Sequence, residues 1–211
     1  MPTLTARRLA TAGAVAVAGA LVTAPTALAG TVSVQDGVAQ FQASAGEVNR
    51  LSVSESPHPT NPLLKIVTFS DIKPVVAGRG CVTDSTLSAS CNVAASTRVV
   101  RTSLGNLADV LSSASLATLG LELAGDAGDD RLNGSGRNDV LEGGPGEDQI
   151  NGGPGDDYIH AGIHDDRVIG GPGRDTLIGY YGDDTIDADD DAPGDEINCG
   201  PGFDKAIFNP G

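Results

Sequence analysis

Seven aspartates fall at every ninth position: Asp130, Asp139, Asp148, Asp157, Asp166, Asp175 and Asp184. Two places after each stands an aliphatic residue, in turn Leu132, Leu141, Ile150, Ile159, Val168, Leu177 and Ile186. Ahead of most of the aspartates lie glycines, which accept positive φ and let backbone carbonyls turn toward a common point. Carboxylates and carbonyls presented together are donors for a hard divalent cation. Calcium takes six to eight oxygens in flexible geometry, whereas magnesium demands a tighter octahedron and keeps its water. The chain has no Cys/His group with zinc spacing. His58 lies in a Ser-Pro-His-Pro loop with no acidic partner and no Gly-x-Ser-x-Gly elbow nearby. His160 and His164, four apart, would chelate a metal only on a helix. No catalytic constellation emerges, and the chain is expected not to be an enzyme.

Laid out in nines from Gly125, the chain reads GDAGDDRLN, GSGRNDVLE, GGPGEDQIN, GGPGDDYIH, AGIHDDRVI, GGPGRDTLI and GYYGDDTID without a gap to Asp187. The sixth column is Asp and the eighth apolar throughout, and the units from Gly143, Gly152 and Gly170 fit G-G-x-G-x-D-x-U-x in full. A disordered acidic tail has no need of an apolar eighth column. The pattern resembles the RTX, or hemolysin-type, calcium-binding repeat, tightly over 125–187 and more loosely over 188–207.

That resemblance implies an all-β chain built on a right-handed parallel β-roll, a β-solenoid in which two successive nonapeptides form one turn. Each unit contributes a six-residue loop and a three-residue strand, and loops alternate between two edges, with calcium between loops two units apart. The expected side-chain ligands are the seven aspartates named above. The expected backbone ligands are the glycine loops, Gly125, Gly128, Gly143, Gly144, Gly146, Gly152, Gly153, Gly155, Gly170, Gly171, Gly173 and Gly182. Units from 125, 143, 161 and 179 should share one edge, and those from 134, 152 and 170 the other. Asp130 with Asp148, and Asp157 with Asp175, occupy the best glycine loops. Arg137 and His164 replace the fourth glycine and weaken the sites beside them. Three to five bound Ca2+ ions are expected.

A three-residue strand with one apolar centre buries a single side chain per unit. That is little burial against the cost of ordering nine backbones, and it does nothing about clustered charge. At extracellular-type sites of about 10⁻⁴–10⁻³ M, millimolar calcium contributes about 0.4–1.4 kcal/mol per ion, so several must act together. Folding is expected to be coupled to calcium and steep in its concentration.

Beyond Asp187 the spacing lengthens, but Asp195 and Asp204 still fall in the sixth column and are further candidate ligands. Cys199 opens a closing unit, and Phe203 and Phe208 are expected to cover the open end of the roll.

The remaining elements set the context. Arg7-Arg8, the apolar run Leu9–Val22 and Ala27-Leu28-Ala29 read as a signal peptide over 1–29, which implies a secreted, extracellular chain. Export favours a disulfide between Cys81 and Cys91, leaving Cys199 buried, free or paired between chains. Residues 30–122 are expected to be a β-rich region capping the roll. Its strands are read near Thr31–Val34, Val38–Phe41, Arg50–Val53, Lys65–Phe69, Val75–Val76 and Thr97–Arg101, with a short helix over 106–117 from the spacing of Leu107, Val110, Leu111 and Ala114. Gly105 and Asp109-Val110-Leu111 also look like a decayed nonapeptide. The roll then spans 123–207, with 208–211 a tail.

Charge is divided unevenly: residues 1–122 carry a net +1 and residues 123–211 a net −16. Nucleic acid is excluded as a partner by like charge, no further run is long enough to span a membrane, and a cell-wall or matrix component is the expected macromolecular partner. Two functions are weighed: extracellular calcium binding with coupled folding, or a calcium-dependent folding and export module for an N-terminal adhesin-like or unrecognised effector.

Overall fold

Each eighth-column residue is the centre of a strand whose flanking side chains point outward, so one aliphatic group per unit is driven inside. Stacking these units makes a single apolar column between two parallel sheets. The computed structural model describes residues 30–71, 75–85, 87–189 and 194–208. The expected leader, 1–29, lies outside the described residues.

The described residues form strands and no helix. In chain order these are β1 Gly30–Gln35, β2 Val38–Ala43, β3 Arg50–Pro57, β4 Leu64–Ser70, β5 Val75–Ala77, β6 Cys81–Ser85, β7 Ser88–Ala94, β8 Val99–Ser103, β9 Val110–Ser115 and β10 Gly120–Ala124. The array supplies β11 Arg131–Asn133, β12 Val140–Pro145, β13 Gln149–Asn151, β14 Tyr158–Ile163, β15 Arg167–Ile169, β16 Thr176–Tyr181, β17 Thr185–Ala188, β18 Glu196–Asn198 and β19 Lys205–Phe208. One sheet runs β18-β16-β14-β12-β10-β8-β2-β1-β5 and the other β19-β17-β15-β13-β11-β9-β3-β4-β7-β6. From β2 to β18 in one sheet order and from β3 to β19 in the other, neighbours are parallel and alternate units fall in opposite sheets, which is a parallel β-roll. The registers align the eighth column throughout, Leu141 on Ile159 on Leu177 in one sheet and Leu132 on Ile150 on Val168 in the other. These six aliphatic residues and Ile186, which pairs with Val168, are all buried.

The roll begins earlier than the nonapeptides do. β2, β8 and β10 stack in parallel in one sheet, and β3, β9 and β11 in the other, so both sheets continue unbroken across position 122. Position 122 marks where the glycine-rich loops start. Between β3 and β8 the chain leaves the winding, and β4, β6 and β7 extend the second sheet as antiparallel strands. An Asp36-Gly37 turn, with φ of 53° and 80°, joins β1 to β2 in the geometry a tight hairpin requires. Phe41, Leu51, Val53, Val67 and Phe69 fill the core here. Lys65 is buried in this region, its ammonium reaching the Thr97 carbonyl at 3.0 Å, the Thr118 hydroxyl at 2.8 Å and Glu55 at 3.6 Å. Glu55 in turn accepts the Ala117 amide, tying the antiparallel strands to a corner of the roll.

Two expectations are corrected. Residues 106–117 hold a corner and strand β9 rather than a helix. Leu107 is exposed while Leu111 is buried, so the apolar spacing that suggested one helical face is shared between a loop and a strand. Phe203 and Phe208 do not close the end of the roll: they are 92% and 62% exposed. Among the described residues no helix is long and apolar enough to cross a membrane.

Cys81 and Cys91 are register partners on β6 and β7 and are disulfide-bonded. Their separation of ten residues closes a short loop. Replacing both with serine is expected to destabilise the antiparallel end by about 2–3 kcal/mol, measured by thermal melting in calcium, with little change in the calcium response itself.

Candidate metal centre

The six residues before each strand triplet turn the corner from one sheet to the other. At each corner the sixth-column aspartate folds inward, and all seven are buried, between 1% and 3% exposed. Each uses one carboxylate oxygen in the same way. Oδ1 of Asp148 accepts the backbone N–H of Asp130 at 2.8 Å, Oδ1 of Asp166 that of Asp148 at 2.8 Å, and Oδ1 of Asp184 that of Asp166 at 2.9 Å. On the other edge Asp157 accepts from Asp139 and Asp175 from Asp157, at 2.8 and 2.9 Å. Partners are eighteen residues apart, one turn of the roll, so the aspartates form two ladders on the two expected edges.

The ladders extend past the regular repeats. Asp175 donates its N–H to Asp195, and Asp184 to Asp204, both at 2.9 Å. Asp130 accepts from Asp109 at 2.7 Å, and Asp109 accepts from Asn49, which makes Asn49 and Asp109 the earlier rungs of one edge. Asp109 was legible only as a decayed unit. Asn49 carried no signal in the sequence, because the inserted strands place it sixty residues ahead of its partner.

The second oxygen distinguishes the sites. Oδ2 of Asp109, Asp130, Asp148, Asp157, Asp166 and Asp184 is buried and accepts no hydrogen bond among the described residues. For Asp130, Asp148, Asp157 and Asp184 it lies against the first-column glycine of its own loop, while the Asp166 loop carries Ala161 in that column. A Cβ on Gly125, Gly143, Gly152 or Gly179 would collide with Oδ2 of Asp130, Asp148, Asp157 or Asp184, and with the carbonyl of the loop one turn on. These first-column glycines do not have positive φ; they are needed for the space. Positive φ belongs to the second and fourth columns, as at Gly144, Gly153, Gly171, Gly128, Gly146, Gly155 and Gly182. Gly173, in the fourth column, lacks it, and a Cβ there would meet the Gly155 carbonyl. His164 and Tyr180 adopt φ of 91° and 87° to follow their columns, a strained choice for a side chain. Arg137 does not follow, and its guanidinium bonds the Ala117 carbonyl instead.

Asp139 stands apart. Ser135, in the second column where four of the seven units carry glycine, donates its N–H to Oδ2 and its hydroxyl, at 2.9 Å, to Oδ1. Its ladder partner one turn earlier is Leu121, which brings no carboxylate. The sequence marked Arg137 as the weak point of this unit; the serine and the leucine are further reasons.

A second, exposed ladder runs beside the first. The fifth-column side chains of Asp129, Asn138, Asp156, Asp165 and Asp183 accept the N–H of the fifth residue one turn on, at 2.9–3.1 Å. The fifth column thus reaches forward along the roll while the sixth reaches back.

Burial without a countercharge pushes the carboxyls up from their ordinary 3.8: Asp130 to about 8, Asp157 and Asp166 to about 7 and Asp109 to about 6, with Asp139, Asp148 and Asp184 raised as well. Loss of hydration is the largest cause. The N–H bonds oppose it, and neighbouring aspartates add to it at Asp130, Asp157, Asp166 and Asp184. Among the described residues no three His, Cys, Asp or Glu side chains converge, so no site here is made of side chains alone. Apart from the Asp139 corner, the corners of the array instead offer one buried carboxylate oxygen beside closely packed carbonyls of adjacent loops. That oxygen-only set fits calcium.

The model of the RTX calcium-binding nonapeptide repeat, in four copies, matches residues 124–159 and 160–192. The array belongs to the RTX calcium-binding repeat family. Its repeats bind calcium. The matched segments of the RTX array hold all seven regular aspartates and stop short of Asn49, Asp109, Asp195 and Asp204, which the ladders add. No curated protein and no solved structure matches the chain.

Steric crowding at the first column gives a direct check. Gly152→Ala sets a methyl group against the Asp157 carboxylate and the Gly170 carbonyl. It is expected to cost the calcium-loaded roll about 2–4 kcal/mol in thermal or urea unfolding, whereas the same change at Gly136, where a Cβ meets nothing within 4 Å, should cost under about 1 kcal/mol.

Proposed function

We propose that the chain is an extracellular calcium-binding protein whose roll folds as the ions bind. The observation that carries this reading is the row of buried Oδ2 atoms without hydrogen-bond partners, stacked one turn apart, those of Asp130, Asp148, Asp157 and Asp184 each beside a glycine that only the missing side chain makes room for. Burying ionised carboxylates without a counterion is costly, so a cation that arrives as the roll closes stabilises the folded state most. The ligands proposed are the sixth-column carboxylates with carbonyls of the glycine corners on successive turns of one edge. Asp130–Asp148, Asp148–Asp166 and Asp166–Asp184 form one series, Asp157–Asp175 belongs to the other, and Asp139 contributes least. This agrees with three to five ions. Export by the residue 1–29 leader sets the ions' source as the external medium. The sheets shared between β2–β3 and the array favour one cooperative body over an export module appended to a separate effector. Deleting 123–211 tests that choice: residues 30–122 should fail to fold alone, and a folded, ligand-binding remnant would favour the effector reading.

The pH dependence has a definite sign. The carboxyls have folded values raised above 3.8, up to about 8 at Asp130, so the folded chain without metal binds more protons than the unfolded chain across that interval. Metal-free stability is therefore greatest below about pH 4 and falls as pH rises toward 8. Calcium displaces the same protons, so its affinity rises over that range and binding near pH 7 releases protons. Melting in chelator at pH 5 and pH 8, with proton release followed in weak buffer, checks both; a melting temperature that climbs with pH in chelator contradicts the assignment.

A further inference from the structure

The two outer faces of the roll differ in charge. On the β11–β19 face, the seventh column reads Arg131, Gln149, Arg167, Thr185, Lys205, each hydrogen-bond-registered on the next. On the opposite face the same column reads Glu122, Val140, Tyr158, Thr176, Glu196, with no cation. Three of the five basic residues in a half of net charge −16 are thus set in one straight row. Alongside Arg131 and Arg167 stand the exposed amides Asn133, Gln149 and Asn151, and with Ile169 these line a shallow open groove of about 260 Å³. Neither arginine forms an ion pair or side-chain hydrogen bond among the described residues, although acidic side chains crowd both edges.

We propose that this face binds a linear polysaccharide bearing sparse carboxylate or sulfate groups. Strands stack about 4.8 Å apart, so cations on alternate turns repeat at roughly 9.6 Å along a straight line. An arginine fork pairs with a carboxylate or sulfate through two parallel N–H···O bonds, and the amides between meet hydroxyls as donor and acceptor. Its charge spacing also decides against nucleic acid, which carries a charge about every 1.7 Å of duplex axis and would be repelled by the aspartate rows on both edges. The proposal rests on the calcium-folded roll for its row of strands and assigns it a partner.

The test uses the full chain in millimolar calcium, titrated calorimetrically with hyaluronan oligosaccharides, which carry one carboxylate on every second sugar, and with neutral dextran and duplex DNA. Hyaluronan should bind and the other two should not. Arg131→Gln with Arg167→Gln should weaken hyaluronan binding at least tenfold, while Arg79→Gln with Arg98→Gln, an equal change of charge elsewhere, should not. The calcium-dependent circular dichroism of both variants should match the parent. Failure of hyaluronan to bind, equal binding after loss of Arg131 and Arg167, or tighter binding to DNA overturns the proposal and leaves calcium folding intact. Should the glutamine pair lose the calcium-dependent signal, Arg131→Lys with Arg167→Lys keeps the charge and removes the fork; undiminished binding by that folded variant also overturns it. A parent chain without a calcium-dependent signal counts against the folding reading instead.

Discussion

Replacing Asp148 and Asp166 together with asparagine is expected to stabilise the roll in chelator and to remove most of its response to calcium. An asparagine Oδ1 can still accept the N–H of Asp130 or Asp148, so the ladder bonds survive. What disappears is charge. Each carboxylate is buried and its value is raised, chiefly by lost hydration, so the ionised form opposes folding when no cation is present. Neutral side chains relieve that cost, and in chelator at pH 8 the double variant should retain more β signal than the parent. In calcium the sign reverses, because the proposed sites along that edge lose an anionic ligand, and the calcium midpoint should rise roughly tenfold. Truncating a side chain in an ordinary apolar core would instead lower stability under both conditions. Thermal melts of parent and double variant, with and without calcium, separate the two; a double variant less stable in chelator than the parent contradicts a charge-opposed fold.

The second large effect is expected at Ile159. It is fully buried and is the single apolar side chain that its unit places between the sheets. Its register neighbours, Leu141 and Leu177, are held by their own backbone ladders and cannot collapse into the gap. Ile159→Ala should therefore cost about 2–5 kcal/mol. Because each turn is stabilised by its neighbours, that cost falls on the calcium-coupled transition as a whole. With about four ions acting together, a loss of about 3 kcal/mol moves the calcium midpoint roughly three- to fourfold upward, read by circular dichroism. Tyr158→Ala, an exposed neighbour, should leave the midpoint within about 0.5 kcal/mol of the parent.

The array was legible because its physics is local and repeated. A solenoid needs one inward apolar residue and one tight corner per strand, and nine residues hold both, so the columns at Asp148 and Ile150 announce the register directly. Glycine's dual role was only half visible: the sequence marks Gly143 and Gly146 alike, but the first lacks a side chain to admit a carboxylate and the second to permit its φ of 153°. The turns before 122 were obscured for a different reason. Asn49 and Asp109 are stacked rungs separated by an antiparallel excursion, and no fixed interval links them. The false helix at 106–117 arose because a corner followed by a short strand can space Leu107 and Leu111 four apart, as a helix does. Apolar aromatics usually seek burial, which is why Phe203 and Phe208 read as a cover for the end, but among the described residues nothing there buries them.

If divalent ions at the glycine corners, and not the apolar column alone, hold the array folded, the chain must respond to calcium as a whole. Far-ultraviolet circular dichroism of residues 30–211, titrated with calcium and separately with magnesium from a chelated start at pH 8, reads this directly. Calcium should bring a cooperative gain of β signal, magnesium no comparable change, and restored chelator a return to the starting spectrum. An identical β-rich spectrum in chelator and in calcium would contradict it.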